Sequence, residues 1–515
     1  MASQILRCVA AVLLLTSCSN TAARRPGSSA DRPNAYDLVL SGGRVMDPES
    51  GLDGVRNVGI KDGTIRALSE GALSARETLD VRGLIVAPGF IDLHAHGQDN
   101  KSNAFQARDG VTTALDLEAG AYPVDMLFAN RRDKAILHYG VATGHIPARI
   151  NVSTGLSPGH PMTREVYLPW YMKFAEKAYA FFADTNPMAS LQDPLSESQV
   201  EELLEKVDND LVDGGVGVGF GLDYTPGADD DEIRRVFEVV AKRGVPCFVH
   251  MKGVSGLTDM SAMESLLGYA ESSGAALHVL HITSMGQKRT PRYLEMIEAA
   301  RERGMDVTVE AYPYTAGSTY IESAFFDDGW RARLGIDYGD LQWSETGERL
   351  TEEIFHTYRE QGGLVILHAM TPEIVELAIA HPLVMIASDG VPMLKGGEHP
   401  RGAGTYARVL GYYSRELGTI DLMDALRKMT IMPAQRLEAF VPEMRDKGRI
   451  RIGADADITV FDPATVIDRA TFEDSHQASE GIPHVLVAGT FVVRDGVLVP
   501  NVYPGQPIRA PRSSR

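Results

Sequence analysis

Cysteine is nearly missing from this chain: its 515 residues include three, Cys8, Cys18 and Cys247. No disulfide framework can be built from them within one chain, which removes the small stapled scaffolds from consideration. Cations are short as well. The 50 Lys and Arg face 69 Asp and Glu, and the resulting net charge of −19 argues against a nucleic-acid or anionic-membrane surface as the main role. What is present is apolar mass, 44% of the residues, enough for one large core or two smaller ones and too much for disorder or collagen. Length does not fix the number of domains, because single α/β barrels exceed the usual domain size.

The opening residues read as a signal peptide over 1–18: one cation (Arg7), an apolar run from Val9 to Leu15, then small residues before Cys18. That run is far shorter than the roughly 20 residues needed to cross a bilayer. Leu15 to Cys18, "LTSC", resembles the bacterial lipobox, after which the cysteine carries acyl chains; an ordinary cleaved secretory signal is the alternative. Ser19 is similar to outer-membrane sorting. The expected location is the periplasmic side of a bacterial envelope, with membrane contact only through lipid on Cys18. Residues 19–35 are polar and read as a flexible linker. Cys247, in "GVPCFVH", reads as a small buried hydrophobe.

Residues 36–86 and 443–502 share one texture: short alternating or apolar runs cut by Gly, Asp and Pro, which predict strands with tight turns. These two ends are expected to close on each other as a composite β-sandwich, followed by a tail at 503–515. Between them, residues 87–442 alternate apolar runs with helical patterns. Eight runs ("LIVAPGFIDLHAH", "GVTTALDLEAG", "YGVATGHI", "GVGVGFGLDY", "GVPCFVHM", "ALHVLHIT", "DVTVEAYPY" and "PLVMIASDG") are spaced as βα units with two long insertions. The fold class is α/β, a (β/α)8 TIM barrel, with a doubly wound open sheet as the competing architecture. A ninth run, "GGLVILHAM", is placed outside the barrel. The aromatic-rich "YLPWYMKFAEKAYAFF" belongs to an insertion beside the site mouth or under the helices.

Ionisable residues gather at the C-terminal ends of these runs, where a barrel presents its functional groups. His94 and His96 end the first run; residues two apart on a strand share a face, so both imidazoles can converge on one ion. Glu118 ends the second run, His250 the fifth and His281 the sixth, and Asp389 follows the eighth. One shared metal centre accounts for all six. Asp116 shares a strand face with Glu118, which is preferred as nearer the strand end. His145 is open as a ligand or as a residue behind one. His278, mid-run, reads as a hydrogen-bonded core histidine. His138, His160, His356, His368, His381, His399, His476 and His484 are not assigned to the site.

With these residues in hand, the chain resembles the amidohydrolase superfamily and, within it, the N-acyl-D-amino-acid deacylases, from Tyr36 to Pro500. The pieces that carry the likeness are "APGFIDLHAH", "DGVTT", "ATGHIPAR", "GFGLDYTPGA", "VHMKG", "DVTVEAYPYTAGST", "HPLVMIASDG", "HPRGAGTYARVLGYYSRELG" and "KGRIRIGADADITVFDP". The resemblance implies one metal position at His94, His96 and Asp389, a neighbouring one at His250 and His281, and zinc, one or two ions, as the cofactor. The family bridges its metals with a cysteine shortly after "GVTT"; here Glu118 stands nearly in that place. Replacing a soft thiolate by oxygen favours two ions, or a divalent metal other than zinc.

The resemblance also implies that Tyr312, Ser318 and Arg401 hold the substrate carbonyl or α-carboxylate. A family lysine for that carboxylate is replaced by Thr283, with Lys252 and Lys288 near it in sequence only. The expected reaction is hydrolysis of N-acyl-D-amino acids. Asp389 acts as general acid/base and Tyr312 donates to the oxyanion. D-residue dipeptides or cyclic amides are alternative substrates, and a non-catalytic binding lipoprotein is the reading from another class.

Overall fold

In the parallel strands of a barrel, both faces are covered and the sequence loses its polar alternation. The computed structural model, which describes residues 35–160, 189–256, 258–393 and 395–512, shows eight such strands. They are β1 (Phe90–Asp92), β2 (Val111–Ala121), β3 (His138–Gly144), β4 (Val218–Gly221), β5 (Pro246–His250), β6 (Ala276–Val279), β7 (Val307–Ala311) and β8 (Val384–Ile386), all parallel and almost wholly buried. They lie side by side in chain order, and Ala95 beyond β1 bridges in parallel to Gly390 beyond β8. A doubly wound sheet would break that order at a switch point; here the two edges meet and the sheet nearly closes. The signal peptide, residues 19–34 of the linker and the run "YLPWYMKFAEKAYAFF" lie outside the described residues.

The helices between strands carry their own start and stop signals. In "DDDEIRRVFEVVAKRG", Asp229 caps the helix Asp230–Arg243 by accepting from the Glu232 amide, acidic residues fill the first turn and Lys242 and Arg243 the last. Gly244 then takes the left-handed conformation (φ 65°) that ends it. Ile233, Val236, Phe237 and Val240 form its buried stripe against the barrel.

The chain ends share one nine-stranded sheet. Ile458–Phe461 runs antiparallel to Ile85–Pro88 (Val460 opposite Val86), and the N-terminal Tyr36–Asp47 pairs with the far side of Ile85–Pro88. A buried polar junction ties this sheet to the barrel base: Lys447 Nζ lies 2.7 Å from Asp457, whose other oxygen is 3.0 Å from Nε2 of His138 in β3. The last residues are strapped to the barrel as well, with Ile508 donating to the Tyr139 carbonyl at 2.7 Å and the Arg509 guanidinium 3.9 Å from the centre of the Phe128 ring. The ninth apolar run lies outside the barrel: Leu364–Leu367 is the middle strand of a three-stranded antiparallel sheet with Gly317–Tyr320 and Leu341–Trp343. No described helix is long and apolar enough to cross a membrane.

Candidate metal centre and active site

The six ionisable groups expected at strand ends meet. The ligand atoms of His94, His96, Glu118 and Asp389 all lie within 4.8 Å of one another, as do those of Glu118, His250 and His281, so Glu118 belongs to both sets. Its Oε2 is 2.5 Å from His94 Nε2 and 3.8 Å from His281 Nε2, and its Oε1 is 2.9 Å from His250 Nδ1. Asp389 Oδ1 faces His94 and His96 at 3.4 and 3.3 Å. Two of these residues sit in left-handed backbone, His281 at φ 27° and Asp389 at φ 52°. Such conformations cost free energy and persist where the surrounding structure holds them for a purpose. Close approach also demands a small residue in β4: a Cβ on Gly219 would lie 2.1 Å from the Glu118 carbonyl oxygen.

Whether a cation fits is answered by the donor set. His94 and His96 each turn Nδ1 to a carboxylate, Glu310 at 2.7 Å and Asp116 at 2.8 Å, and carboxylates only accept. Their Nε2 atoms therefore present lone pairs, and these face each other at 3.2 Å beside the oxygens of Glu118 and Asp389. Acceptors packed against acceptors need a positive charge among them. Burial opposes the charged imidazole, yet Asp389, Glu118 and Glu310 outweigh it and push His94 well above its usual range. A divalent ion satisfies the same demand, and two imidazoles with carboxylate oxygens are the ordinary zinc ligand chemistry.

Four residues behind the ligands were not assigned to the site from the sequence, or were assigned otherwise. Asp116 is not a ligand; it accepts from His96 and, at 2.7 Å, from Nε2 of His160, a residue the sequence does not assign to the site. Glu310 joins His94 to Nε2 of His278, at 2.9 Å, so the core histidine is hydrogen-bonded as expected but to a group that orients a ligand. The signal for Glu310 was there: a carboxylate in the middle of a buried apolar strand requires a partner. His145 is neither ligand nor support; it pairs with Glu232 at 2.8 Å, beside Arg149.

A cavity of about 320 Å³ opens onto the cluster. Tyr312, Ser318 and Arg401 all line it, and the Tyr312 and Ser318 hydroxyls and Nε of Arg401 are buried without hydrogen-bond partners among the described residues. Arg401 Nη1 lies 2.8 Å from Asp389 Oδ2, and the guanidinium sits 4.7 Å from the centre of the Tyr312 ring. Burial pushes the Tyr312 hydroxyl up to about 12, so it is a proton donor at neutral pH. Thr283 is buried but does not line the cavity; Lys252 donates to the Ala228 carbonyl and Lys288 is exposed, so neither stands in for the missing lysine. Among the described lining residues, Arg401 is the one Lys or Arg. The rest of the wall is largely apolar, with Ile146, Ile150, Leu191, Phe325, Leu334 and Met370.

Three kinds of likeness accompany this geometry. The profile of the amidohydrolase family matches residues 77–493. N-acyl-D-glutamate deacylase of Alcaligenes xylosoxydans xylosoxydans is 30% identical over 490 residues, 88% of this chain and 93% of that one. Among solved structures, N-acyl-D-glutamate deacylase from Bordetella bronchiseptica, complexed with zinc and a phosphonate mimic of the tetrahedral intermediate, matches with a TM-score of 0.73 and 26% identity, covering 92% of this chain and all of that one. A D-aminoacylase structure matches with a TM-score of 0.75 and 26% identity over the same shares; its binuclear metal centre is described as showing one-metal activation and second-metal attenuation.

Proposed function

The chain belongs to the amidohydrolase family, and from that membership we propose that it is a metal-dependent deacylase that hydrolyses N-acyl-D-amino acids to the D-amino acid and a carboxylate. The observation that carries the reading is the cavity wall: the Arg401 Nε and two hydroxyls, all without a partner among the described residues, beside a cluster built for a divalent ion. Held there, such an ion supplies Lewis acidity, lowering the pKa of water and polarising a carbonyl.

The chain's own groups do the rest. Arg401 takes the substrate α-carboxylate in a planar, charge-assisted pair. Because Arg401 also holds Asp389 Oδ2, the arriving carboxylate draws the guanidinium away and leaves that oxygen to accept the proton of the attacking water. Asp389 then delivers the proton to the departing amine. Tyr312 donates from Oη to the carbonyl oxygen as negative charge develops on it. The apolar wall suits an apolar side chain and acyl group; a second carboxylate on the substrate would meet no cation among the described lining residues.

The test is a panel of N-acetyl-D and N-acetyl-L amino acids, D-residue dipeptides and hydantoins, with and without added Zn²⁺. Turnover of the N-acetyl-D set, lost on chelation and restored by metal, supports the reading. Turnover of dipeptides or hydantoins alone assigns the other amidohydrolase chemistry, and metal binding without any turnover assigns a binding protein. We also propose that Cys18 anchors the protein to the periplasmic face of the outer membrane, on the lipobox-like "LTSC". Cys18→Ser should release it from the membrane fraction.

A further inference from the structure

The histidine two residues before Arg401 takes no part in the chemistry above, yet it is fully buried and uses both ring nitrogens. Nδ1 of His399 accepts from the Arg401 amide at 3.1 Å, and its Nε2 lies 2.8 Å from the Ala316 carbonyl oxygen. An amide N–H only donates and a carbonyl only accepts, so the ring is held as the neutral tautomer with its proton on Nε2. Burial and the charge of Arg401 keep it neutral by holding it well below the usual imidazole range. The amide it serves opens the helix Arg401–Arg408, where first-turn N–H groups have no partner within the helix. Tyr314 and Phe472 stand edge-on to the ring, at 5.4 Å and 90° and at 5.1 Å and 86°, and fix its plane. Ala316 lies two residues before Ser318, whose carbonyl accepts from Arg401 Nη2 at 3.4 Å. The contacts thus form a closed circuit: Arg401 backbone to His399, His399 to Ala316, and Ser318 back to the Arg401 guanidinium. In that circuit the guanidinium contact is long and the two imidazole bonds are the firm ones.

We infer that His399 is a positioning residue for the substrate carboxylate: it ties the Arg401 backbone to residues 316–318 and so sets the gap in which the guanidinium and the Ser318 hydroxyl meet the substrate. Arg401 and Ser318 are 83 residues apart in the chain, one opening the helix that follows β8 and the other in the excursion after β7, so their alignment must be fixed by a bond between those two elements. Without the imidazole, the guanidinium and the hydroxyl lose their common frame. Binding of the carboxylate then weakens, while substrate that does bind still meets the catalytic groups, which is the signature of lost uniform binding. The inference rests on the deacylase reading of the same cavity.

The experiment is steady-state kinetics of the full chain on N-acetyl-D-leucine with Zn²⁺ added. His399→Phe keeps a ring between Tyr314 and Phe472 and removes both hydrogen bonds; it should raise KM by about 10–100-fold and leave kcat within a few-fold. His399→Asn can keep the acceptor for the Arg401 amide and His399→Gln the donor to Ala316, and each should raise KM by about 5-fold, the ordinary worth of one such bond. In an Arg401→Met background, where the clamp is already gone, adding His399→Phe should change kcat/KM by less than about 3-fold, because the two residues act as one unit. KM does not depend on how much of a preparation folds, and the Asn and Gln variants decide the matter if the Phe variant does not fold. A parental KM in His399→Phe, or in both amide variants, overturns the inference while the deacylase reading stands. So does a fall in kcat alone, the mark of lost folded protein, or an equal effect of His399→Phe with and without Arg401. Absence of turnover of every N-acetyl-D-amino acid by the parent overturns both.

Discussion

Tyr312→Phe separates what a side chain does for the fold from what it does for the reaction. The hydroxyl is buried and has no hydrogen-bond partner among the described residues. It costs stability there, since an unsatisfied buried polar group carries a penalty of about 1–3 kcal/mol. Phenylalanine keeps the ring under the Arg401 guanidinium and fills the same space; the hydroxyl adjoins Gly317, where a built Cβ would lie 3.3 Å from it. The variant should therefore be as stable as the parent or gain up to about 2 kcal/mol in urea unfolding. In turnover the same oxygen is asked to donate to the oxyanion, and loss of one such donor costs about 2.7–4 kcal/mol, a fall in kcat of about 10²–10³. Both quantities come from one preparation, by denaturation monitored with tryptophan fluorescence and by steady-state kinetics on an N-acetyl-D-amino acid. A kcat within a few-fold of the parent refutes the donor role. A loss of more than about 1 kcal/mol of stability refutes the claim that the hydroxyl waits unpaired.

Arg401→Lys should lower kcat/KM for N-acyl-D-amino acids by about 10²-fold in steady-state kinetics, because an ammonium cannot reproduce the planar pair. N-acetyl-D-leucine should exceed N-acetyl-D-glutamate in kcat/KM by at least about 10²-fold, the cost of burying a second carboxylate without a partner; the reverse order would show that a cation reaches the cavity. Lys428 is buried near Asp424 and Arg427, donates to the His381 and Val384 carbonyls, and burial lowers it from 10.5 to about 8. Between those two pH values the unfolded chain holds a proton that the folded one has released, so this group's contribution to stability rises with pH and its penalty is fully present below pH 8. Relative to Lys428→Met, the parent should gain roughly 3 kcal/mol between pH 8 and 10.5, read as the difference of two unfolding series.

The barrel was legible because its strands are short apolar runs alternating with helical patterns, and the ligands because strand ends are where a barrel puts them: "HAH" carries two on one face. The supporting shell was not. Glu310, Asp116, His160 and His278 act through alignments between β1, β2, β6 and β7 and the loop at His160, and no local pattern states which mid-strand polar group lies beside which. Asp116 and Glu118 illustrate the limit. Two residues apart on one face, they compete for the same role on paper, and only the positions of His96 and His160 assign one to the ions and the other to the rings. The side excursion after β7, where Ser318 sits, was likewise invisible as a sheet, because its strands are very short and separated by helical turns.

The sheet made from both chain ends bears on how the molecule is born. Barrel strands find partners among their immediate successors, so that part can assemble progressively from its N-terminal end. Ile85–Pro88 cannot: one flank awaits Ile458–Phe461, and until the far end of the chain arrives it offers unsatisfied amides and carbonyls to any passing strand. Dependence on holding chaperones should therefore be concentrated at this early segment, and a message truncated before Phe461 would yield an aggregating product even with every ligand already translated.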